Sequence, residues 1–558
     1  YGLSFTPGTW IESIQITKGA GSVVNGYESI SGQINTELIK PINDIPFFLN
    51  AYGSTDSRFE LNTHFNTQLS QKWSSSLFVH GNTRVSKMDQ NNDGFMDNPL
   101  AKQINVMNRY QYYDAEKGLV SFINFRYMND KKQSGEVDFD PDRDRGTTNR
   151  WGSEINTQRL DLATKVGYVF KDMPFQSIGF QNAFTLHNQN SYYGLNVYDI
   201  KQSSFYSNLI FNSIINNTKH KFATGINFAY DNYNEFVGLT DYGRVDNSVG
   251  AFFEYTYDND DNFSLVLGGR VDNHNRLGTF VTPRLHLRYN PWEKSVLRFS
   301  AGRGKRAANI FAENQSLFAS SRTFSILDTD GKIYGLNPEI AWNYGLSFNQ
   351  KFQLFGRNGD AGFDLYRTDF QNQAVVDVMQ SPQQVLFYNL KGKSYATSLQ
   401  IEFNYELANR FSLRSAYKYY DIQTQYLSGV YQRPLQAKHR FFGNLEYETG
   451  RSESGSQWRF DATYNWLGKQ QLQVTASNPA QDRLPEFSPS YNLINAQVTH
   501  VFSSNFEIYV GGENIGNYKQ SKAILGAETP FGPTFDASIV YAPIFGQMYY
   551  AGLRFKIK

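Results

Sequence analysis

The chain contains no cysteine. That excludes a disulfide scaffold and thiolate metal sites, and it fits an oxidising envelope compartment. No apolar run approaches the roughly 18 residues that mark a membrane-spanning helix. Neither sign of charge dominates: 53 Lys and Arg face 52 Asp and Glu, which gives no reason to expect nucleic acid as a partner. Proline is scarce, at 17 of 558 residues. Gly-x-Ser-x-Gly is missing, as is any phosphate-binding loop, and Gly302-Arg303-Gly304 lacks both a third glycine and a following helix. The eight histidines are scattered without a His-x-x-His pair, so neither an enzyme nor a dedicated haem or copper receptor is indicated.

Aromatic residues are abundant: Tyr and Phe supply 37 and 45 residues. Asn, Ser, Gln and Gly are plentiful too. This mixture suits long strands with aromatic outer faces and polar inner faces. Alternation supports that reading. Leu553, Phe555 and Ile557 interleave with Arg554 and Lys556, and Leu297, Phe299 and Ala301 interleave with Arg298 and Ser300. Leu285, Leu287 and Tyr289 alternate likewise with His286 and Arg288. A charge at every second position forbids burial on both faces but allows lipid outside and water or polar protein inside.

Runs of this kind predict strands over 45–55, 57–70, 73–86, 103–115, 118–132, 156–171, 174–190, 200–215, 219–236, 244–258 and 262–276. They continue over 281–290, 294–306, 339–354, 359–373, 393–406, 411–425, 437–449, 456–470, 488–503, 505–518 and 545–557. Tight connections such as 71–72, 116–117 and 172–173 alternate with long ones such as 87–102, 133–155, 307–338, 374–392, 471–487 and 519–544. The expected fold is therefore an all-β, antiparallel transmembrane barrel of about 22 strands, with short turns on the periplasmic side and long loops outside. A barrel of that size is too wide for side chains to fill, so it calls for a plug. The expected division is 1–41 for the C-terminal part of a plug domain and 42–558 for the barrel.

Residues 11–36 carry a more specific signal. Two short strands flank a glycine-rich turn with Gly19, Gly21, Gly26 and Gly32. Lys18-Gly19, then Gly26-Tyr27-Glu28-Ser29-Ile30-Ser31-Gly32, then Ile34-Asn35 resemble the end of the plug domain in TonB-dependent outer-membrane receptors. Downstream, Leu336-Asn337-Pro338-Glu339 with Trp342-Asn343-Tyr344, the run Asp364–Phe370, and Gly512-Glu513-Asn514-Ile515 resemble strand motifs of the same family in order. The style is nearest to Bacteroidota-type receptors.

The resemblance implies active uptake of a scarce ligand across the cell outer membrane. That ligand would be a metal chelate or siderophore, a cobalamin-like molecule or a similar small molecule, with lipid around the barrel and the TonB–ExbB–ExbD system as partner. The N-terminal half of the plug and the TonB-contacting box are expected to precede this sequence, which reads as a processed or partly ordered product. The alternative is a plugged barrel serving as a structural or assembly subunit of a larger envelope complex.

Local constellations add candidates. Asp89, Asn91, Asp93, Phe95 (through its carbonyl) and Asp97 occupy oxygen-ligand positions of a calcium loop, with Gly94 at the sharp turn and Leu100 where a bidentate glutamate would stand. They read either as a Ca2+ site rigidifying an external loop or as a solvated turn. No other cofactor is required. Asp138, Asp140, Asp142 and Asp144, interleaved with Arg143 and Arg145, read as a mutually paired loop. Arg298 and Arg303 are read as pairing with plug carboxylates such as Glu12 and Glu28, polar contacts that can rearrange. Loop aromatics including Tyr192, Tyr193, Phe311, Phe318, Phe324 and Tyr334 read either as stacking on a ligand or as packing loops together or sitting in the interfacial girdle. Substrate-binding residues are not identifiable.

Overall fold

The computed structural model describes residues 5–558; the first four residues of the expected plug segment lie outside the described residues. Strands run antiparallel around a closed ring, and the last, Met548–Ile557, pairs with the first, Phe47–Ser54, from Ile557 against Phe47 to Tyr550 against Ser54. Of the 24 ring members, Thr240–Asp241 and Gly429–Gln432 are short hairpin extensions, leaving 22 long strands. Closure matters physically because lipid offers no hydrogen bonds, so a ring without edges is the only sheet that satisfies every backbone group.

Alternation sets the two faces. Large apolar side chains such as Phe125, Leu162, Phe205, Ile226, Val271, Ile401 and Val510 are exposed on the outer surface. Polar side chains such as Asn105, Gln189, Asn227, Arg270 and Asn343 are buried on the inside. About 9–11 residues suffice to cross a bilayer, whereas Asn217–Val237 has 21. The central hairpins therefore project well beyond the lipid on the long-loop side.

Inside the ring, Ile11–Lys18 pairs antiparallel with Gly32–Leu38. The intervening residues 19–31 reach the wall on several sides. The Arg270 guanidinium donates to the Val23 carbonyl at 2.7 Å, and Arg284 donates to the Ser29 carbonyl at 2.9 Å. Asn208 donates to the Val24 carbonyl at 3.2 Å, and the Ser22 hydroxyl to Glu254 at 2.7 Å. On the opposite side, Asn105 donates to the Phe5 carbonyl at 2.7 Å. Lys18 forms an ion pair with Asp364. The buried Arg270 is itself held by Asp272, so its charge is compensated before it grips the segment.

Glycines on the inner wall make room for this segment. A Cβ at Gly302 would stand 2.5 Å from that of Ala20, and one at Gly304 would stand 2.5 Å from Cγ1 of Ile30. The Gly302-Arg303-Gly304 run is thus two cavities cut into the wall, with Arg303 between them on the opposite face. Gly304→Val should push Ile30 off the wall, at a cost of about 1–3 kcal/mol for overpacking. Amide exchange of residues 20–32 should accelerate while the barrel strands stay protected; unchanged exchange there would contradict the fit.

Candidate functional site

The long loops pack together above the lumen. Loop 307–338 contains the short helix Ala312–Phe318 and the strand Thr323–Ile326. That strand lies parallel to Gln384–Asn389, which pairs antiparallel with Ala374–Asp377, so two loops share a small sheet outside the barrel. A common apolar core joins Phe95, Trp151, Tyr193, Ile310, Phe311, Phe318, Val385, Phe387 and Phe535. Phe318 stacks on Phe324 at 4.6 Å and on Tyr198 at 5.3 Å, while Phe311 meets Tyr334 edge-on at 5.6 Å. The loop aromatics accordingly act as mutual packing. Tyr192 is instead covered by the Arg145 guanidinium, 4.9 Å above its ring.

Buried polar contacts fasten this canopy. Arg322 pairs with Asp536 at 2.8 Å, tying loop 307–338 to loop 519–544, and both side chains are almost wholly buried. At the rim Arg244 pairs with Glu235 at 3.0 Å and donates to the Tyr334 hydroxyl at 2.7 Å. Removing one partner of a buried pair strands the other charge, at about 3–5 kcal/mol. Arg322→Ala should therefore loosen residues 374–392 and 519–544 to amide exchange or limited proteolysis and leave the barrel unaffected. Loops as protected as in the unaltered protein would contradict the clasp.

Between the canopy and the luminal segment lies a cavity of about 970 Å³. Its floor is Lys18, Gly19 and Glu28–Gly32. Its wall includes Arg306, Asn343, Asp364, Tyr366, Thr368, Ser398 and Lys418, and its roof includes Leu317, Val376, Val378, Arg433, Leu435 and Gln473. Arg306 is neutralised by Glu313 at 2.7 Å and Glu339 at 2.6 Å, and Lys18 by Asp364. Lys418 and Arg433 form no ion pair among the described residues. Two acceptors lack a partner: Oδ1 of Asn343 and Oε1 of Gln473 are buried without hydrogen bonds. Glu28 keeps surface open to the lumen. The enclosing walls nevertheless raise its pKa above the usual carboxylate range by stripping bulk water, with Asp231 and Glu313 adding to the rise and Arg306 opposing it.

The expected plug–barrel contacts distribute differently. Glu12 pairs with Lys40 at 3.4 Å, within the segment itself. Glu28 points into the cavity. Arg298 faces the lumen in a second cavity of about 410 Å³, beside Lys18, Ser300 and Tyr366, without an ion pair among the described residues. Arg303 lies on the outer face, where it donates to Gln371 at 3.3 Å; strand alternation puts it opposite Gly302 and Gly304, so it cannot reach the segment. Arg270, Arg284 and Lys18 make the contacts instead. Inner-face position beside a wall glycine is the signal that would have found the two arginines.

Residues 89–97 form a tight turn. The Asp89 carboxylate accepts from Asp93 N–H at 3.2 Å and Gly94 N–H at 2.9 Å. Asp93 accepts from Phe95 N–H and from the Asn91 amide, and Asp97 accepts from Gln90 N–H at 2.8 Å. Oδ1 of Asp97 is buried without a partner. Among the described residues no three His, Cys, Asp or Glu side chains are disposed to hold a metal ion. Around Asp138–Asp144, a short helix Pro141–Asp144 is capped by Asp140, and Arg143 pairs with Asp144 at 2.7 Å.

Burial, and then the neighbouring Asp89 and Asp93, push the Asp97 carboxyl up to about 6. A raised carboxyl pKa means the folded loop binds the proton more tightly than the unfolded chain does, so its stability falls as pH rises from about 4 to 6. Acidifying from pH 7 to 5 should raise the amide protection factors across 89–97, the exchange rates being divided by the intrinsic rate at each pH, and Asp97→Asn should abolish that rise. Calcium added at pH 7 would reproduce the rise if the loop holds a cation and would change nothing if it is a hydrogen-bonded turn.

Comparison with known proteins gives the family. Residues 90–515 match the model described as TonB dependent receptor-like, beta-barrel. The chain belongs to that family. A mutant of the ferric enterobactin receptor PfeA from Pseudomonas aeruginosa superposes with a TM-score of 0.74 at 11% identity, over 99% of this chain and 86% of that one. The siderophore receptor PirA from Acinetobacter baumannii gives 0.74 at 13%, over 99% and 86%. FpvA of P. aeruginosa, bound to a heterologous pyoverdine–iron complex, gives 0.74 at 13%, over 100% and 78%. No curated protein matches the sequence. At these identities the structural likeness establishes the fold, while the family model establishes membership. The protein is thus a TonB-dependent receptor of the outer membrane, and its general task is ligand uptake.

Proposed function

We propose that this receptor imports a small anionic metal chelate of the siderophore type, with the TonB–ExbB–ExbD system supplying the pull on the luminal segment. The observation that carries the reading is the cavity of about 970 Å³ lying between that segment and the canopy. Its size suits a compact chelate, since small-molecule sites usually span about 300–1,000 Å³. Its charge favours an anion. Lys418 and Arg433 lack ion pairs among the described residues, three of the four lining carboxylates (Glu313, Glu339 and Asp364) are taken up by Arg306 and Lys18, and the raised pKa of Glu28 weakens the fourth. In this reading residues 5–41 are the last part of the plug and the remainder is the barrel. The canopy must open for the ligand to arrive, and the segment must shift for it to leave. Siderophore receptors among the structural neighbours add support at the level of fold.

Calorimetric titration with a ferric tris-catecholate, and separately with a neutral ferric hydroxamate, tests the ligand class. The anionic complex should bind more tightly, and Lys418→Ala with Arg433→Ala should weaken it about tenfold or more, as loss of charged hydrogen bonds implies. Uptake of labelled iron by cells expressing the receptor should stop when TonB is absent. Failure to bind either complex, together with a stable stoichiometric set of envelope proteins in mild detergent, would overturn transport in favour of a structural subunit.

A further inference from the structure

The outer surface carries an unassigned charged feature directly above the lipid band. Lys102 on Leu100–Asp114 and Lys131 on Leu119–Gly135 are register partners, so their side chains leave the same face side by side. That face is the outer one: Lys102 shares alternation with the exposed Ile104, and Lys131 with the exposed Tyr127 and Phe125. Both lysines are exposed, and neither makes a hydrogen bond or ion pair among the described residues. Directly opposed like charges destabilise a ladder. An anion lying between the two ammonium groups would relieve that repulsion.

Height and surroundings say which anion. The row Val106, Tyr127, Leu160 and Leu186 is apolar, and the same strands carry the row Phe125, Leu162 and Phe184 next to it. Lys102 stands four residues further out than Val106, roughly 13 Å along the strand at 3.3 Å per residue. That is the level of lipid headgroups rather than of acyl chains. Between the two levels, beside Ile104, the outward positions of the next three strands are amides: Asn129, Gln158 and Asn188 align in one row, and Asn156 and Asn190 continue the lysine row. Amides beside ammonium groups suit a phosphate flanked by sugar hydroxyls. Two carboxylates lie near on this face: Glu154 accepts from the Tyr192 hydroxyl at 2.8 Å, and Asp199, which continues the lysine row beyond Asn190, accepts from Ser191 N–H at 3.0 Å. Lys201 pairs in register with Asn188 three strands beyond Lys131, roughly 14 Å away at the usual strand spacing, and is also exposed.

We propose that Lys102 and Lys131 form a binding site for the phosphate of a glycolipid in the outer leaflet, with Lys201 placed to meet a second phosphate of the same molecule. The site fixes the depth of the barrel in the leaflet through charge. It makes no demand on the transported ligand and stands independently of the uptake reading.

Native mass spectrometry of the detergent-solubilised receptor with added bisphosphorylated lipid A tests this, alongside thermal unfolding. The unaltered protein should show saturable lipid adducts and a rise in Tm. Lys102→Gln with Lys131→Gln should weaken binding at least tenfold with an unchanged far-ultraviolet spectrum. Lys131→Glu should form an ion pair with Lys102, so that the lipid-free protein melts no lower than the original while the lipid-induced rise disappears. Inorganic phosphate and a dephosphorylated lipid A should produce no rise. Equal lipid affinity in the double variant, or an equal effect from inorganic phosphate or from the dephosphorylated lipid, would overturn the proposal.

Discussion

Closure of the ladder between Met548–Ile557 and Phe47–Ser54 is the constraint on which the rest of the molecule depends. Once 22 long strands form a ring, every backbone group in the lipid is satisfied, and the side-chain alternation has only one orientation that works. Apolar residues must face out and polar ones in. The same closure creates a lumen too wide for wall side chains to fill. Something else has to occupy it, and the requirement explains features that look unrelated along the chain. Glycines at 302 and 304 leave hollows for Ala20 and Ile30. Arg270 and Arg284 hold backbone carbonyls of the segment rather than its side chains.

Those grips differ in kind from the canopy's. Loop packing above the lumen is dominated by aromatic rings and a few buried ion pairs, interactions that separate as a cooperative unit. The luminal segment is held by hydrogen bonds to its carbonyl oxygens and by the ion pairs of Lys18 with Asp364 and Glu402, polar contacts that water can replace one at a time, besides the packing of Trp10 on Phe78 and Met107. A cavity between two such boundaries can be widened from either side by different means. That division is what an uptake receptor of this family needs, since the outer boundary must respond to ligand and the inner one to a pull.

Much of the barrel was legible because period-two alternation is a local property. Leu553, Phe555 and Ile557 declare a lipid face without knowledge of any partner, and the final strand falls where that pattern ends. The resemblance of residues 11–36 to a plug terminus likewise rested on consecutive residues, and the structure shows their two strands paired. The canopy was invisible for the opposite reason. Arg322 and Asp536 are 214 positions apart and sit in loops with no periodic signal, so nothing local links them. Arg303 is a different case. Leu297, Phe299 and Ala301 already marked its parity as outward, and attention to charge alone obscured that. At Asp89–Asp97 the turn was legible from its glycine and acidic spacing, whereas the use of its carboxylates by backbone N–H groups is a matter of geometry.

The central claim is that the segment inside the ring occludes it. Ion conductance of the full-length receptor in planar bilayers addresses this most directly. An occluded lumen predicts a closed baseline, with steps appearing only in mild denaturant, which frees the segment while the barrel persists. A large, steady conductance without denaturant would show an open pore and contradict the claim.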